Sequence, residues 1–216
     1  GRVTVDGRPE KDGARKIDPR IHAICLDGEI LRLRGRIVLM LNKPAGYVTA
    51  TEDAREATVM ELLPPEYRYL KPVGRLDKDT TGLLLMTNDG ELAHFLLSPN
   101  RHVWKQYRAT VTGQLTAADV QAFAEGLQLS DFEAKPARLT ILSAGQEESV
   151  GLVEVREGKF HQVKRMFSAV GCEVVKLHRE TFGSLTLDPD LPEGEWRELS
   201  ADELSALYSD AQMEVR

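Results

Sequence analysis

Cysteine is scarce: the chain has two, Cys25 and Cys172, among 216 residues. They lie far apart and in no CxxC spacing, which excludes a disulfide framework and a cysteine zinc site. Two reduced, partly buried thiols are expected, in a reducing, cytoplasmic setting. The five histidines (His22, His94, His102, His161, His178) fall in no ligand pattern such as HxxxH, so no metal is expected. No apolar run approaches the roughly 20 residues of a membrane span. There is no internal repeat and no low-complexity tract. No secretory leader is visible, and the chain opens on Gly1, so its natural start is expected to lie upstream.

What is present is an ordinary globular composition, 42% hydrophobic and 29% charged. The length suits one full domain, or one domain with a small appendage, enough to bury a core without cross-links. The net charge of -6 argues, taken whole, against a nucleic-acid partner. Its distribution argues otherwise. From Asp188 onward nine Asp/Glu face two Lys/Arg, a net of -7 that leaves +1 for the rest. Arg156, Lys159, Lys164, Arg165, Lys176 and Arg179 cluster against Glu157 and Glu173 alone. Residues 1–36 carry nine basic and six acidic side chains. Such runs are also what solvated faces look like. The acidic tail has no evident function.

Residues 1–34 read as two short hairpin-like pieces with Asp-Gly turns, followed by a basic linker, Arg32 to Arg36. A second unit covers 37–216. "IVLMLNKPAGYV" reads as strand, turn and strand. Thr58 and Glu61 have the spacing of a capping box for a short helix. "GLLLMTNDG" suits a buried strand, "ELAHFLL" a helix and "WKQYRATVTG" a strand. "TAADVQAFAEG" is a helix ending at Gly126. "ARLTILSA", "VGLVEVRE" and "EVVKLHRE" are strands. "KFHQVKRMFSAVG" is predicted helical, with Phe160, Val163, Phe167 and Val170 on its buried face. Ser200 and Glu203 predict a last capped helix. The mixture predicts an α+β fold with a mixed, mainly antiparallel sheet.

Three segments offer chemistry. "PVGRLDKDTTGLLLMTNDG" places Arg75, Asp77 and Asp79 on a turn before a buried strand, a common way to present a reactive group. Read blandly, it is a turn whose Asp and Thr residues satisfy backbone groups. "EGKFHQVKRMFSAVG" sets His161, Lys164 and Arg165 on the polar side of the helix, otherwise a solvated basic face. "WKQYRA" puts Lys105 and Tyr107 on one face of a strand, where an aromatic is ordinarily core.

In their order these segments resemble a known family. "GRLDKDTTGLLLMTNDG" is similar to the signature of bacterial pseudouridine synthases that modify ribosomal RNA. "EGKFHQVKRMFSAVG" is similar to their basic motif. "MLNKPAGYV" and "VVKLHRE" are similar to the flanking strands. The set spans residues 37 to about 200, and the HQVKR wording resembles the small-subunit, RsuA-type branch. The resemblance implies a pseudouridine-synthase fold with a central cleft. It makes residues 1–34 the later part of an S4-like RNA-binding domain whose first half is absent.

The resemblance further implies the isomerisation of a uridine in 16S ribosomal RNA, uridine 516, within naked RNA or a ribosome-assembly intermediate. The base is detached, turned and rejoined through carbon, so nothing leaves and no cofactor is required. By resemblance Asp77 is the catalytic carboxylate, as nucleophile or stabiliser. Lys164 is the cation beside it, opposing the pKa rise that burial causes. Tyr107 stacks on the flipped base, a contact worth about 1–3 kcal/mol against a flipping cost of a few. Leu177 lines the apolar side, and Arg75 and Arg165 contact phosphate or loop. A monomer is expected.

Rivals are a 23S enzyme of the same family and, from another class, a non-catalytic RNA-binding assembly factor. A glycoside hydrolase needs two carboxylates flanking one bond, about 5–9.5 Å apart. Asp77 and Asp79 are neighbours at i and i+2 of one turn rather than groups on two walls of a cleft.

Overall fold

The computed structural model describes every residue except 19–20, 32–34, 99, 102 and 215–216. Arg32 and Arg34 of the expected basic linker, and His102, lie outside the described residues. The chain divides into two units, Gly1–Arg36 and Ile37–Arg216.

The first unit is a four-stranded antiparallel sheet of β1 (Val3–Val5), β2 (Arg8–Pro9), β3 (Ile24–Leu26) and β4 (Glu29–Ile30), ordered β2-β1-β3-β4. The two expected hairpins are both there. Their turns, Asp6-Gly7 and Asp27-Gly28, have positive φ at both positions (50° and 77°, 52° and 88°), the geometry that Asp-Gly accepts at least cost.

The second unit is built on one sheet. Its strands are β5 (Val38–Lys43), β6 (Lys71–Pro72), β7 (Thr81–Thr87) and β8 (Lys105–Thr112). A side ribbon of β9 (Leu127–Gln128) and β10 (Glu133–Ala134) follows, then β11 (Arg138–Ala144), β12 (Glu148–Val155), β13 (Val174–Phe182), β14 (Leu185–Thr186) and β15 (Trp196–Glu198). The order is β11-β12-β8-β13-β7-β5-β15, with β14 beside β13 and β6 beside β7. Among the described pairs only β13 with β7 is parallel, so the sheet is mixed and mainly antiparallel, as the sequence predicts.

Both faces of the sheet centre are covered, which explains its unbroken apolar strands. Leu39, Leu41, Leu84 and Met86 face one core, together with α2 (Ala117–Glu125) and α3 (Gln162–Ala169) through Phe123, Met166 and Phe167. Val38, Met40, Leu83 and Leu85 face the other, together with α1 (Gly90–Leu97) and α4 (Ala201–Asp210) through Leu92, Leu96, Leu207 and Tyr208. The α4 start is a capping box, Ser200 Oγ accepting from the Glu203 amide at 3.2 Å and Glu203 accepting from the Ser200 amide at 2.8 Å.

Two local expectations are corrected. The strand expected after Gly46 is a single bridge, Val48 with Thr58. Phe160 does not join the buried face of α3: it precedes the helix and is 76% exposed. The cause is Gln162. Its buried side chain accepts from the Lys159 amide at 3.1 Å and donates to Glu157 at 3.0 Å, so the chain turns there before the helix begins. The acidic tail is partly architectural. Arg197 pairs with Asp188 at 2.7 Å and Glu203 at 2.8 Å. The Arg197 contact, opposed by burial, holds Glu203 down to about 2.

Candidate active site

The loop before β7 carries Arg75, Asp77 and Asp79 and is pinned from both sides. Thr49 Oγ1 donates to the Leu76 carbonyl at 2.8 Å and accepts from the Leu76 amide at 3.1 Å. Lys43, ending β5 with no exposed surface, brings its ammonium to the carbonyls of Pro44 (3.0 Å), Asp77 (3.1 Å), Lys78 (3.3 Å) and Thr80 (2.8 Å). Burial pushes its pKa from 10.5 down to about 8, while the charges of Asp79 and Asp77 oppose the fall. The Asp77 carbonyl also accepts from the Thr80 amide at 3.1 Å, closing the turn. The Asp77 carboxylate is thus left to face outward from a fixed backbone.

What it faces comes from α3 and the residue just before it, His161. Lys164 Nζ lies 3.1 Å from Asp77 Oδ2 and 2.6 Å from Asp79 Oδ1; His161 Nε2 lies 3.4 Å from Asp77 Oδ1. Burial works against the Lys164 charge, but hydrogen bonds to Asp79 and Asp77 outweigh it and raise its pKa. The Lys164 hydrogen bond likewise holds Asp79 below the usual carboxylate range. One lysine thus reaches both carboxylates of the turn.

The space above is a cleft of about 1240 Å³, lined by Asp77, Lys164, His161 and Tyr107. A small recess of about 60 Å³ that shares Asp77, Tyr107, His161 and Lys164 with it adds Leu177. Tyr107 and Leu177 are 8% and 6% exposed, so each shows the cleft only a small part of its side chain. Arg75, exposed, also lines it. Arg165 does not: its guanidinium pairs with Asp131, takes Ser130 Oγ at 2.9 Å and lies over the Phe132 ring.

Sequence reasoning missed Lys43 and Arg179 and gave Lys105 no role. Arg179 pairs with Tyr107 across β13 and β8 and donates to the Leu83 carbonyl at 2.7 Å and the Tyr107 hydroxyl at 3.4 Å. Its Nη2 has no partner among the described residues. Lys105 donates to the Val103 carbonyl at 3.0 Å; burial, then the nearby Arg179 charge, push it down to about 8. The one signal for Lys43 was a lysine closing a strand that is apolar up to Asn42.

Comparison with known proteins decides the family. The family model for RNA pseudouridylate synthase matches residues 37–169. The chain belongs to the RNA pseudouridine synthases. As a member it is an isomerase. An uncharacterised RNA pseudouridine synthase of Bacillus subtilis is 44% identical over 210 residues, covering 96% of this chain and 88% of that protein. Ribosomal small subunit pseudouridine synthase A of Yersinia pestis is 44% identical, covering 95% and 87%, and that of Escherichia coli K12 is 42% identical, covering 95% and 89%. A pseudouridylate synthase crystal structure superposes with a TM-score of 0.74 at 37% identity, over 95% of this chain and 88% of that one. The synthase fold reaches further still: an archaeal box H/ACA Nop10-Cbf5 complex matches with a TM-score of 0.52 at 19% identity, over 73% of this chain and 51% of that one.

Proposed function

We propose that this synthase isomerises one uridine of 16S ribosomal RNA, uridine 516, with Asp77 as its catalytic carboxylate. The observation that carries the reading is Asp77 itself: a carboxylate fixed by its backbone in a cleft, with Lys164 Nζ at 3.1 Å. A nearby cation keeps a carboxylate ionised where burial would protonate it. The target substrate is taken from the small-subunit relatives.

In this reading the uridine leaves its stack and enters the cleft. Tyr107 meets one face of the base and Leu177 its apolar edge. Asp77 attacks or stabilises the sugar as the bond to nitrogen breaks. The base turns, the bond to carbon forms, and the proton lost from that carbon is balanced by one gained at nitrogen. No metal or cofactor takes part. Arg75 holds a phosphate at the cleft rim. Arg165 belongs to the outer RNA surface, where Asp131 competes with phosphate for it. The first unit contributes RNA contacts as part of an S4-like domain. The protein acts as a cytoplasmic monomer, on naked RNA or an assembly intermediate.

The test is pseudouridine mapping of ribosomal RNA from cells lacking the protein, rescued with wild type or Asp77→Asn. Loss of a 16S signal restored by wild type alone is the expected result. A lost 23S signal moves the substrate to the large subunit. Rescue by Asp77→Asn removes Asp77 from its role, and an unchanged map favours a non-catalytic binder.

A further inference from the structure

The two residues before α3 have an arrangement that packing does not account for. Phe160 is 76% exposed, yet its ring stacks on that of His161, centroids 3.8 Å apart and planes within 18°. His161 has φ 49°, a left-handed conformation that costs a non-glycine residue about 1–3 kcal/mol and persists only where its surroundings impose it. Here they do. Gln162, 4% exposed, binds both the Lys159 amide and Glu157, and Glu157 also accepts from the Lys135 amide at 3.0 Å. The neighbouring Lys159 also lines the cleft, and its ammonium lies 4.1 Å from the centre of the Phe132 ring. The loop is therefore held in one shape that leaves a flat aromatic pair at the cleft wall, beside Asp77.

We propose that Phe160, backed by His161, is a stacking platform for the base of an unpaired RNA nucleotide adjoining the one in the catalytic pocket. The inference rests on the RNA-modifying reading above and adds a subsite to it. A rigid exposed ring suits this ligand because every base offers a π face, and alanine in place of such a ring weakens binding about tenfold or more. The exposed ring contributes little to folding, so its removal separates binding from stability.

The experiment uses a short oligouridine carrying one 2-aminopurine, which requires neither turnover nor a known target site. Binding and fluorescence quenching are measured for the full chain and for Phe160→Ala and Phe160→Tyr, with thermal melting as the folding control. Wild type and Phe160→Tyr are expected to quench the probe. Phe160→Ala should bind about tenfold more weakly, lose the quenching and melt as wild type does. In turnover, the same variant should raise KM about tenfold and leave kcat unchanged. Equal quenching by wild type and Phe160→Ala overturns the platform, as does its absence from wild type at saturation. Stacking without any pseudouridine formed on ribosomal RNA counts against the proposed reaction and leaves the subsite standing.

Discussion

Lys164 serves two carboxylates with one ammonium, at 3.1 and 2.6 Å, and that sharing makes its charge testable. Lys164→Met removes the hydrogen bond that holds Asp79 below the usual carboxylate range, so the Asp79 carboxyl should titrate higher, toward its ordinary value, as followed by carboxyl NMR. The single-turnover rate should fall about 10²-fold with the loss of the positive charge 3.1 Å from Asp77, and Lys164→Arg should recover much of it. An unchanged rate and an unmoved Asp79 titration in Lys164→Met would remove the ammonium from this role. Lys105 makes a different case, because burial opposes its charge and Arg179 adds to the opposition. The unfolded chain holds that proton up to about pH 10.5, the folded chain only to about 8. Between these values unfolding takes up a proton, so stability climbs as pH rises through the window, by roughly 2–3 kcal/mol. Urea titrations of wild type and Lys105→Met at pH 7 and pH 10 should show that rise in wild type and a smaller one in the variant.

At the level of elements, the parallel pairing of β7 with β13 depends on Gly82. Its φ is 102°, and a Cβ there would overlap the carbonyl and amide of Arg179. Gly82→Ala should cost about 3 kcal/mol or more, seen as a lower urea midpoint; an unchanged midpoint would mean the strands part freely. The long elements were legible because their signals are local. β7 is an apolar run closed by Asn-Asp-Gly, and α4 carries its capping box in four residues. The side ribbon β9–β10, β6 and β14 were not, since two-residue strands exist only through their partners. Phe160 had helical spacing but lost its place to Gln162, whose side-chain bonds no periodicity reveals. Asp77, Lys164 and Tyr107 stood out through motif resemblance. Lys43 did not, because its partners Asp77 and Thr80 lie 34 and 37 residues further along.

For the whole molecule, every residue given a part in the cleft belongs to the unit Ile37–Arg216, which holds both hydrophobic cores of the large sheet. Residues 1–36 carry nine basic and six acidic side chains. Their deletion should raise KM and flatten its salt dependence, since fewer phosphates are neutralised, while the single-turnover rate at saturating RNA stays within about threefold. Loss of the rate at saturation would make the first unit part of the chemistry.

The sheet order also sets a timetable. β13 lies between β8 and β7 but is made some 60 residues after β8 has been translated. Until it arrives, β7 and β8 each present an open edge, and an unfinished chain offers neighbouring nascent chains two places to add a strand. Leu177 and Arg179 ride on that late strand, so the pocket wall and the closing of the sheet are completed in one event. A chain halted on the ribosome before residue 174 should therefore be inactive and prone to take up a strand from a neighbour.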